Sequence, residues 1–292
     1  MESNLTLAER TRRRLDRVDD VPTLPPVLLM VWELTGRSDS SAADLARAIG
    51  SDPGLTGAVL RLANSAYFGF PRKIGTVKQA IVVLGFDTVR SLATGASVMR
   101  ALGPSSPSGM DAGEFLRHSM VTAMAARLLV ERRWRELAGS AFCGGVLHDL
   151  GKLVIAEYLA EANTEIGSRV ADGTSREDAE RETLGMTHAE IGGWFADRWS
   201  LPEELAAAVR WHHDPAGAGD RERFAAAVHV GDVLAHRVGA GGSGRNEPPA
   251  LRPEACTILG LPEDELGEWT ERLAALTVEM PSAEAALGLG AK

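Results

Sequence analysis

Apolar residues recur at helical spacing along most of the chain, in blocks bounded by proline, glycine and small polar residues. Val27 to Leu34 is one such block, opened by Leu24-Pro25-Pro26, whose prolines suit a helix start, and ended by Gly36 to Ser40. Ser41 is placed to cap a short helix, Ala42 to Ile49, with Leu45, Ala46 and Ile49 on one side. Asp52-Pro53 starts another that runs through Leu55, Val59, Leu60 and Leu62. Asn64 to Pro71 is a loop rich in turn formers. Thr76 then caps Val77 to Leu84, which stops at Gly85, and a further helix runs from Asp87 to about Leu102.

Gly103-Pro104-Ser105-Ser106-Pro107-Ser108-Gly109 is the clearest linker and marks a subdomain boundary. Beyond it the pattern predicts helices over Asp111 to Glu136, Ser140 to Leu159, Arg176 to Leu184, His188 to Trp199 and Pro202 to His212. Another apolar helix contains Val228 to Leu234. Gly239 to Pro253 reads as a second flexible stretch, followed by a terminal amphipathic pair around Pro262 to Leu276. No run of alternating strands and no fixed-period repeat interrupts this. The expected fold is all-α, with an N-terminal extension over 1–19, a helical subdomain over 20–103, a second over 110–238, a flexible loop over 239–253 and a helical tail over 254–292.

Composition agrees with helix and narrows the setting. Ala, Leu, Arg and Glu dominate while aromatics make up 5%, and 292 residues suffice to bury a core without covalent staples. Cys143 and Cys256 lie far apart, so neither a disulfide framework nor a CxxC clip is expected, and a reducing compartment fits. The first twenty residues are charged throughout, and no stretch reaches the roughly 18 uninterrupted apolar residues of a membrane span. The expected location is therefore the cytoplasm, with no membrane partner. A formal net charge of -9 disfavours non-specific nucleic-acid binding, which rests on neutralising phosphates. The basic run Arg10 to Arg14, with Asp16, Asp19 and Asp20 close behind, reads as a solvated helix face.

Candidate chemistry lies in the second half. Glu114 and His118, four residues apart, share a helix face and read by themselves as a structural pair. His148 and Asp149 interrupt an apolar run from Phe142 to Val154, with Lys152 one turn beyond. Two such groups are costly to bury alone, so they call for a metal or for a hydrogen-bonded pairing with each other. His188 opens a helix, His212 and His213 end one, and Asp232 sits in an apolar helix where a carboxylate wants a cation. His229 and His236 flank Asp232 at minus three and plus four on the same stripe, but without a partner motif they read as core or surface residues.

Taken in order, His, His-Asp, His, His-His and Asp resemble the HD superfamily of metal-dependent phosphohydrolases, and Leu147-His148-Asp149-Leu150-Gly151-Lys152 is similar to its HDxGK core. With Glu114, His118, His188, His212 and His213 added, the set resembles that of the HD-GYP phosphodiesterases, which implies a two- or three-ion iron or manganese centre. After the paired histidines, however, the chain reads Asp214-Pro215-Ala216-Gly217-Ala218-Gly219-Asp220 where that subfamily has its GYP segment for cyclic di-GMP. Leu24-Pro25-Pro26, Ile49 to Leu55, Leu60 to Gly69, Ile74 to Ile81 with Leu84-Gly85, and Gly185 to Gly192 resemble the HDOD domain instead.

The HDOD resemblance implies an N-terminal HDOD helical subdomain packed on an HD-type helical bundle. It also implies a bacterial signalling module, acting as a stand-alone regulator that binds a signalling protein or a small nucleotide-type ligand. The HD resemblance implies the alternative, a metal-dependent phosphohydrolase or phosphodiesterase acting on a nucleotide or cyclic dinucleotide. Asp149 would then bridge the ions and Asp232 bind or orient the nucleophilic water, while Lys152 would hold a phosphate oxygen. The metal ligands implied are Glu114, His118, His148, Asp149, His188, His212, His213 and Asp232, for a divalent transition metal, iron or manganese, with zinc possible on the same ligand types.

Overall fold

Helices are the regular elements among the described residues, and no strand occurs there, in line with the all-α expectation. The computed structural model describes residues 5–17, 25–35, 40–64, 68, 70, 72–101, 112–240 and 248–277. Outside them lie the predicted linker at 103–109, Leu24, Asp19 and Asp20, the helix stop at 36–39 and the loop residues 65–67, 69 and 71. Residues 241–247 of the second flexible stretch and 278–292 of the tail also lie outside.

The first unit is α2 (Pro26–Thr35), α3 (Ala42–Gly50), α4 (Pro53–Ala63), α5 (Val77–Leu84) and α6 (Phe86–Ala101), packed on one another. Its helix starts are set locally. Ser41 and Asp44 form a reciprocal capping box, Asp52 caps α4 with Pro53 just inside, and Thr76 caps α5. Asn64 ties the end of α4 to the approach of α5: its Nδ2 donates to Leu60 O (2.7 Å) and Ile74 O (2.9 Å), and its Oδ1 accepts from Ile74 N (2.7 Å).

The second unit comprises α7 (Ala112–Glu131), α8 (Ala138–Leu147), α9 (Leu150–Tyr158), α10 (Ala160–Ala171), α11 (Arg176–Leu184), α12 (His188–Arg198), α13 (Glu203–Trp211) and α14 (Glu222–Arg237). Helix α8 is buried from Ala141 to Leu147 and α14 from Phe224 to Ala235, as befits helices apolar on nearly every side, and both lie against α7. The two units meet where α6 packs on α8, with Ser91 Oγ donating to Gly139 O at 2.7 Å.

Three differences from the sequence expectation have local causes. The helix predicted over Ser140 to Leu159 is broken at His148-Asp149, where Asp149 leaves helical geometry (φ -89°, ψ 15°) and α9 starts afresh. The helix predicted to Glu136 stops at Glu131, and a 3-10 turn, Arg135–Leu137, leads into α8. Helix α10 had no apolar stripe to announce it, because Ile166 is its one fully buried residue.

At the ends, α1 (Leu7–Asp16) buries Thr11 and Leu15 against α11, Thr11 Oγ1 donating to Leu184 O at 2.8 Å, while Arg10 and Arg12 to Arg14 face solvent as expected. Helix α15 (Pro253–Leu259) begins inside the stretch expected to be flexible, and α16 (Leu266–Thr277) follows; both pack on α14. No helix of the described residues is long and apolar enough to cross a membrane.

Glycine permits the closest helix crossing near the HD dipeptide. A Cβ on Gly151 would stand 1.8 Å from His188 O and 2.8 Å from Gly192 N, so α9 and α12 touch backbone to backbone. That contact sets the separation between Asp149 and His188.

Candidate metal centre

Four helices and one helix break deliver the clustered histidines and aspartates of the second unit. His118 comes from the middle of α7, His148 and Asp149 from the α8–α9 break, and His188 from the first residue of α12. His212 and His213 follow the end of α13, and Asp232 and His236 lie one turn apart on α14. Thr187 caps α12 in a reciprocal box with Glu190, which holds the start of that helix, and so His188, in place. His118, His148, Asp149, His188, His212 and Asp232 are each at most 3% exposed. Burying so many polar groups together requires that they satisfy one another or share a cation.

The histidines' outward nitrogens are already committed. Nδ1–H of His118 donates to Ala240 O (2.7 Å), that of His148 to Gly145 O (2.8 Å) and that of His212 to Val209 O (2.8 Å). A carbonyl only accepts, so Nδ1 carries the proton in each ring and Nε2 presents its lone pair to the centre. His188 does the same through a carboxylate, its Nδ1–H donating to Glu180 Oε2 at 2.7 Å. The Nε2 atoms then meet face to face, His118 with His148 at 3.3 Å, His188 with His212 at 3.3 Å and His213 with His188 at 3.0 Å. Lone pairs turned on each other at such distances need a proton or a metal ion between them.

Asp149 stands between two sets of rings. Its Oδ2 lies 3.6 Å from His118 Nε2 and 3.4 Å from His148 Nε2, whereas Oδ1 lies 3.3 Å from His188 Nε2 and 3.8 Å from His212 Nε2. Asp232 Oδ1 faces His118 (3.2 Å), His236 (3.6 Å) and His148 (4.0 Å). Asp149 Oδ1 and Asp232 Oδ1 are buried without a hydrogen-bond partner, a cost that a bound cation would remove. Three groups have ligand atoms close enough to hold an ion: His188 with His212 and His213, His118 with His148 and Asp149, and His118 with Asp232 and His236. The residues therefore fit a transition-metal centre bound by imidazole and carboxylate.

The charge states of the two aspartates and of His212, His213 and His236 agree, and those of His148 and His188 are shifted the other way. Burial holds His212 and His213 well below the usual histidine range, and their neighbouring histidines push the same way. For Asp149, burial alone would raise the carboxyl, but His148 and Lys152 outweigh it and keep it well below the usual range; for Asp232, His118 outweighs burial in the same sense. Burial opposes the charge on His188 too, yet Glu180 lifts it to about 8, and Asp149 raises His148 against the same penalty. Burial lowers His236 to about 4. Ionised carboxylates beside the neutral His212, His213 and His236 are the protonation states that metal binding requires, whereas His148 and His188 would each give up a proton to a bound ion.

Of the residues expected as ligands, the structure brings together His118, His148, Asp149, His188, His212, His213 and Asp232. Glu114 is the exception: exposed on the first turn of α7, it belongs to none of the three ligand groups. Lys152 Nζ is 2.6 Å from Asp149 Oδ2, so its charge rests on the central carboxylate. His229 is a core residue as expected, its Nδ1 donating to His212 O (2.7 Å) and its Nε2 accepting from Arg252 N (2.9 Å). His236 joins a ligand group against expectation, and its position four residues after Asp232 was the available signal. Glu180, eight residues before His188 in a polar helix, left no such signal.

Comparison with known proteins places the chain in a family. A solved structure from Shewanella amazonensis SB2B, a candidate phosphohydrolase, is 25% identical, with 94% of this chain and 97% of that one covered and a TM-score of 0.72. An HDOD domain protein of unknown function from Geobacter sulfurreducens is 22% identical, with 97% and 92% covered and a TM-score of 0.73, a likeness of fold. A candidate signal-transduction protein from Marinobacter aquaeolei VT8 is 24% identical, with 98% of this chain and 67% of that one covered and a TM-score of 0.74, again a likeness of fold. An uncharacterized protein of Treponema pallidum (strain Nichols) is 28% identical over 204 residues, 68% of this chain and 39% of that protein, so the chain spans well under half of that relative's length. The HDOD domain model itself matches residues 21–215, from the approach to α2 through the paired histidines, and the chain belongs to the HDOD domain family.

Proposed function

We propose that this chain is a bacterial signal-transduction module of the HDOD family whose second unit holds two divalent transition-metal ions, iron or manganese, and which acts by binding a signalling protein or a small nucleotide-type ligand. The observation that carries the metal is Asp149, whose two oxygens face opposite pairs of histidine Nε2 atoms while one of them has no hydrogen-bond partner. Asp149 would be shared by both ions. His118, His148 and Asp232 would complete one half, with His236 beside them, and His188, His212 and His213 the other. The depth of these groups favours binding over turnover, because a catalytic ion must keep a position open to water and substrate.

A second reading, metal-dependent phosphohydrolysis, is favoured by Lys152. Its side chain is 13% exposed against 1% for Asp149, which puts a cation at the outer edge of the centre where a phosphate oxygen could reach it. Bound ions would supply an activated water and stabilise charge on a transferring phosphoryl group. For their part, Asp232 would hold the water and Asp149 would keep the two halves together.

Metal analysis of protein purified without chelators, paired with a phosphodiester and nucleotide hydrolysis panel, separates these readings. Two equivalents without turnover support the binding module, and metal-dependent turnover supports the hydrolase. Fewer than about 0.2 equivalents after manganese or iron loading would overturn both, since a two-metal site fills stoichiometrically.

A further inference from the structure

The two halves of the centre are unequal in their carboxylate donors. The first has Asp232 as well as Oδ2 of Asp149; the second has His188, His212 and His213 and one oxygen of the shared carboxylate. A dication held by neutral nitrogens in a buried place leaves its charge poorly compensated.

A further carboxylate lies one hydrogen bond away. Glu180, fully buried on α11, accepts from both the backbone N–H and the Nδ1–H of His188 through the same Oε2, each at 2.7 Å. Its Oε1 accepts from Arg176 Nε at 2.9 Å, one turn earlier on the same helix. Gly185, in the left-handed region at φ 70°, ends α11 and turns the chain back so that the first residue of α12 meets Glu180. The Nδ1–H groups of His118, His148 and His212 all rest on neutral carbonyls, and His213 Nδ1 is 3.8 Å from Glu177, beyond hydrogen-bond distance. Among these rings, His188 alone has its far nitrogen bonded to a charge. A carboxylate in that place fixes the tautomer and tilt of the ring and raises the basicity of Nε2.

We propose that Glu180 is a positioning residue of the centre, supplying the second half through His188 with the negative charge that Asp232 supplies directly to the first. The proposal rests on the two-ion reading above. It assigns the two halves different dependencies: loss of the Glu180 charge weakens the His188–His212–His213 half and spares the other, and loss of the Asp232 charge does the reverse.

The test is a manganese titration of the full chain after chelator stripping, with free ion followed by electron paramagnetic resonance. The parent protein, Glu180→Gln, Glu180→Asp and Asp232→Asn are compared. Glutamine keeps an acceptor for His188 without the charge, and Arg176, 14% exposed, can turn toward water when it loses its partner. In Glu180→Gln one equivalent should bind as in the parent, which also reports an intact fold, and the other should weaken about 10–100-fold. Glu180→Asp, which keeps the charge at shorter reach, should recover part of that loss. In the stripped parent protein, the proton shared by His188 and Glu180 should give a far-downfield nuclear magnetic resonance signal that Glu180→Gln abolishes.

Unchanged affinity for both equivalents in Glu180→Gln, with two in the parent, overturns the role of Glu180 and leaves the two-ion centre standing. No binding by the parent overturns both. Should Glu180→Gln fail to fold, Glu180→Asp decides, and full parental affinity at both positions in that variant, or absence of the downfield proton in the parent, overturns the assignment.

Discussion

Replacing Gly151 by alanine tests the packing on which the centre depends. The added carbon would stand 1.8 Å from His188 O, 2.7 Å from its carbonyl carbon and 2.8 Å from Gly192 N, all backbone atoms that no rotamer change can clear. Ordinary contact begins at 3.4 Å, so α9 and α12 must part by about 1.6 Å at this point. Overpacking of a core costs about 1–3 kcal/mol, and backbone on both sides puts Gly151→Ala near 3 kcal/mol. The same shift carries His188 away from Asp149 by more than the roughly 0.5 Å that a preorganised site tolerates, so the second metal equivalent should be lost as well. Urea denaturation of the stripped protein reads the first effect and manganese titration the second. Gly167→Ala on α10, where the new methyl meets open space, is the control and should stabilise by about 0.5–1 kcal/mol. A Gly151→Ala protein within about 0.5 kcal/mol of its parent that still bound both equivalents would refute the close crossing.

Three further outcomes follow from other parts of the molecule. Asn64→Ala removes three hydrogen bonds, two of which join α4 to the approach of α5, and should cost about 2–3 kcal/mol in chemical denaturation; a loss under about 1 kcal/mol would mean that water replaces them. Stripping the metal should lower the thermal midpoint and readdition of manganese should restore it, since an ion that binds only the folded chain stabilises by linkage; a midpoint indifferent to metal would count against the centre. Burial pushes the Cys143 thiol up to about 12, so at pH 8 only about one molecule in ten thousand carries the reactive thiolate. Cys143 should therefore resist iodoacetamide in the native protein and react once urea unfolds it, as mass spectrometry of the labelled peptide would show.

Much of the first unit was legible because its boundaries are written in single residues. Ser41, Asp52 and Thr76 cap α3, α4 and α5 where their side chains predict. The candidate ligand set was legible in kind, since histidines and aspartates in apolar helices are costly unless they meet. Which of them meet depended on tertiary packing. Glu114 and His118 are equivalent candidates by spacing, yet one is exposed and the other lies at the centre. Glu180 sits in Arg176–Leu184, a helix polar along most of its length, and is buried where the chain turns back at Gly185 and brings the first residue of α12 against it. Nothing in the periodicity of α11 separates Glu180 from its solvated neighbours.

The break at His148-Asp149 was the least visible feature and has the largest consequence. Apolar residues flank it on both sides, so the pattern runs through as one helix. Successive residues of an unbroken helix point about 100° apart, and His148 and Asp149 would then address different neighbours. At the break, His148 completes α8 and hangs its Nδ1 on Gly145 O, while Asp149 stands at the start of α9. From there its oxygens reach His118 and His148 on one side and His188 and His212 on the other. Gly151, two residues later, lets α12 close against α9 and bring His188 within 3.3 Å of Asp149. Lys152, one turn on, rests its charge on the same carboxylate. The run His148-Asp149-Leu150-Gly151-Lys152 thus combines a helix break, a shared carboxylate, a close crossing and a counter-charge within one turn of chain. Its residues keep their roles only while that break is kept, so an alteration that straightened α8 into α9 should abolish metal binding even with all the ligand side chains present.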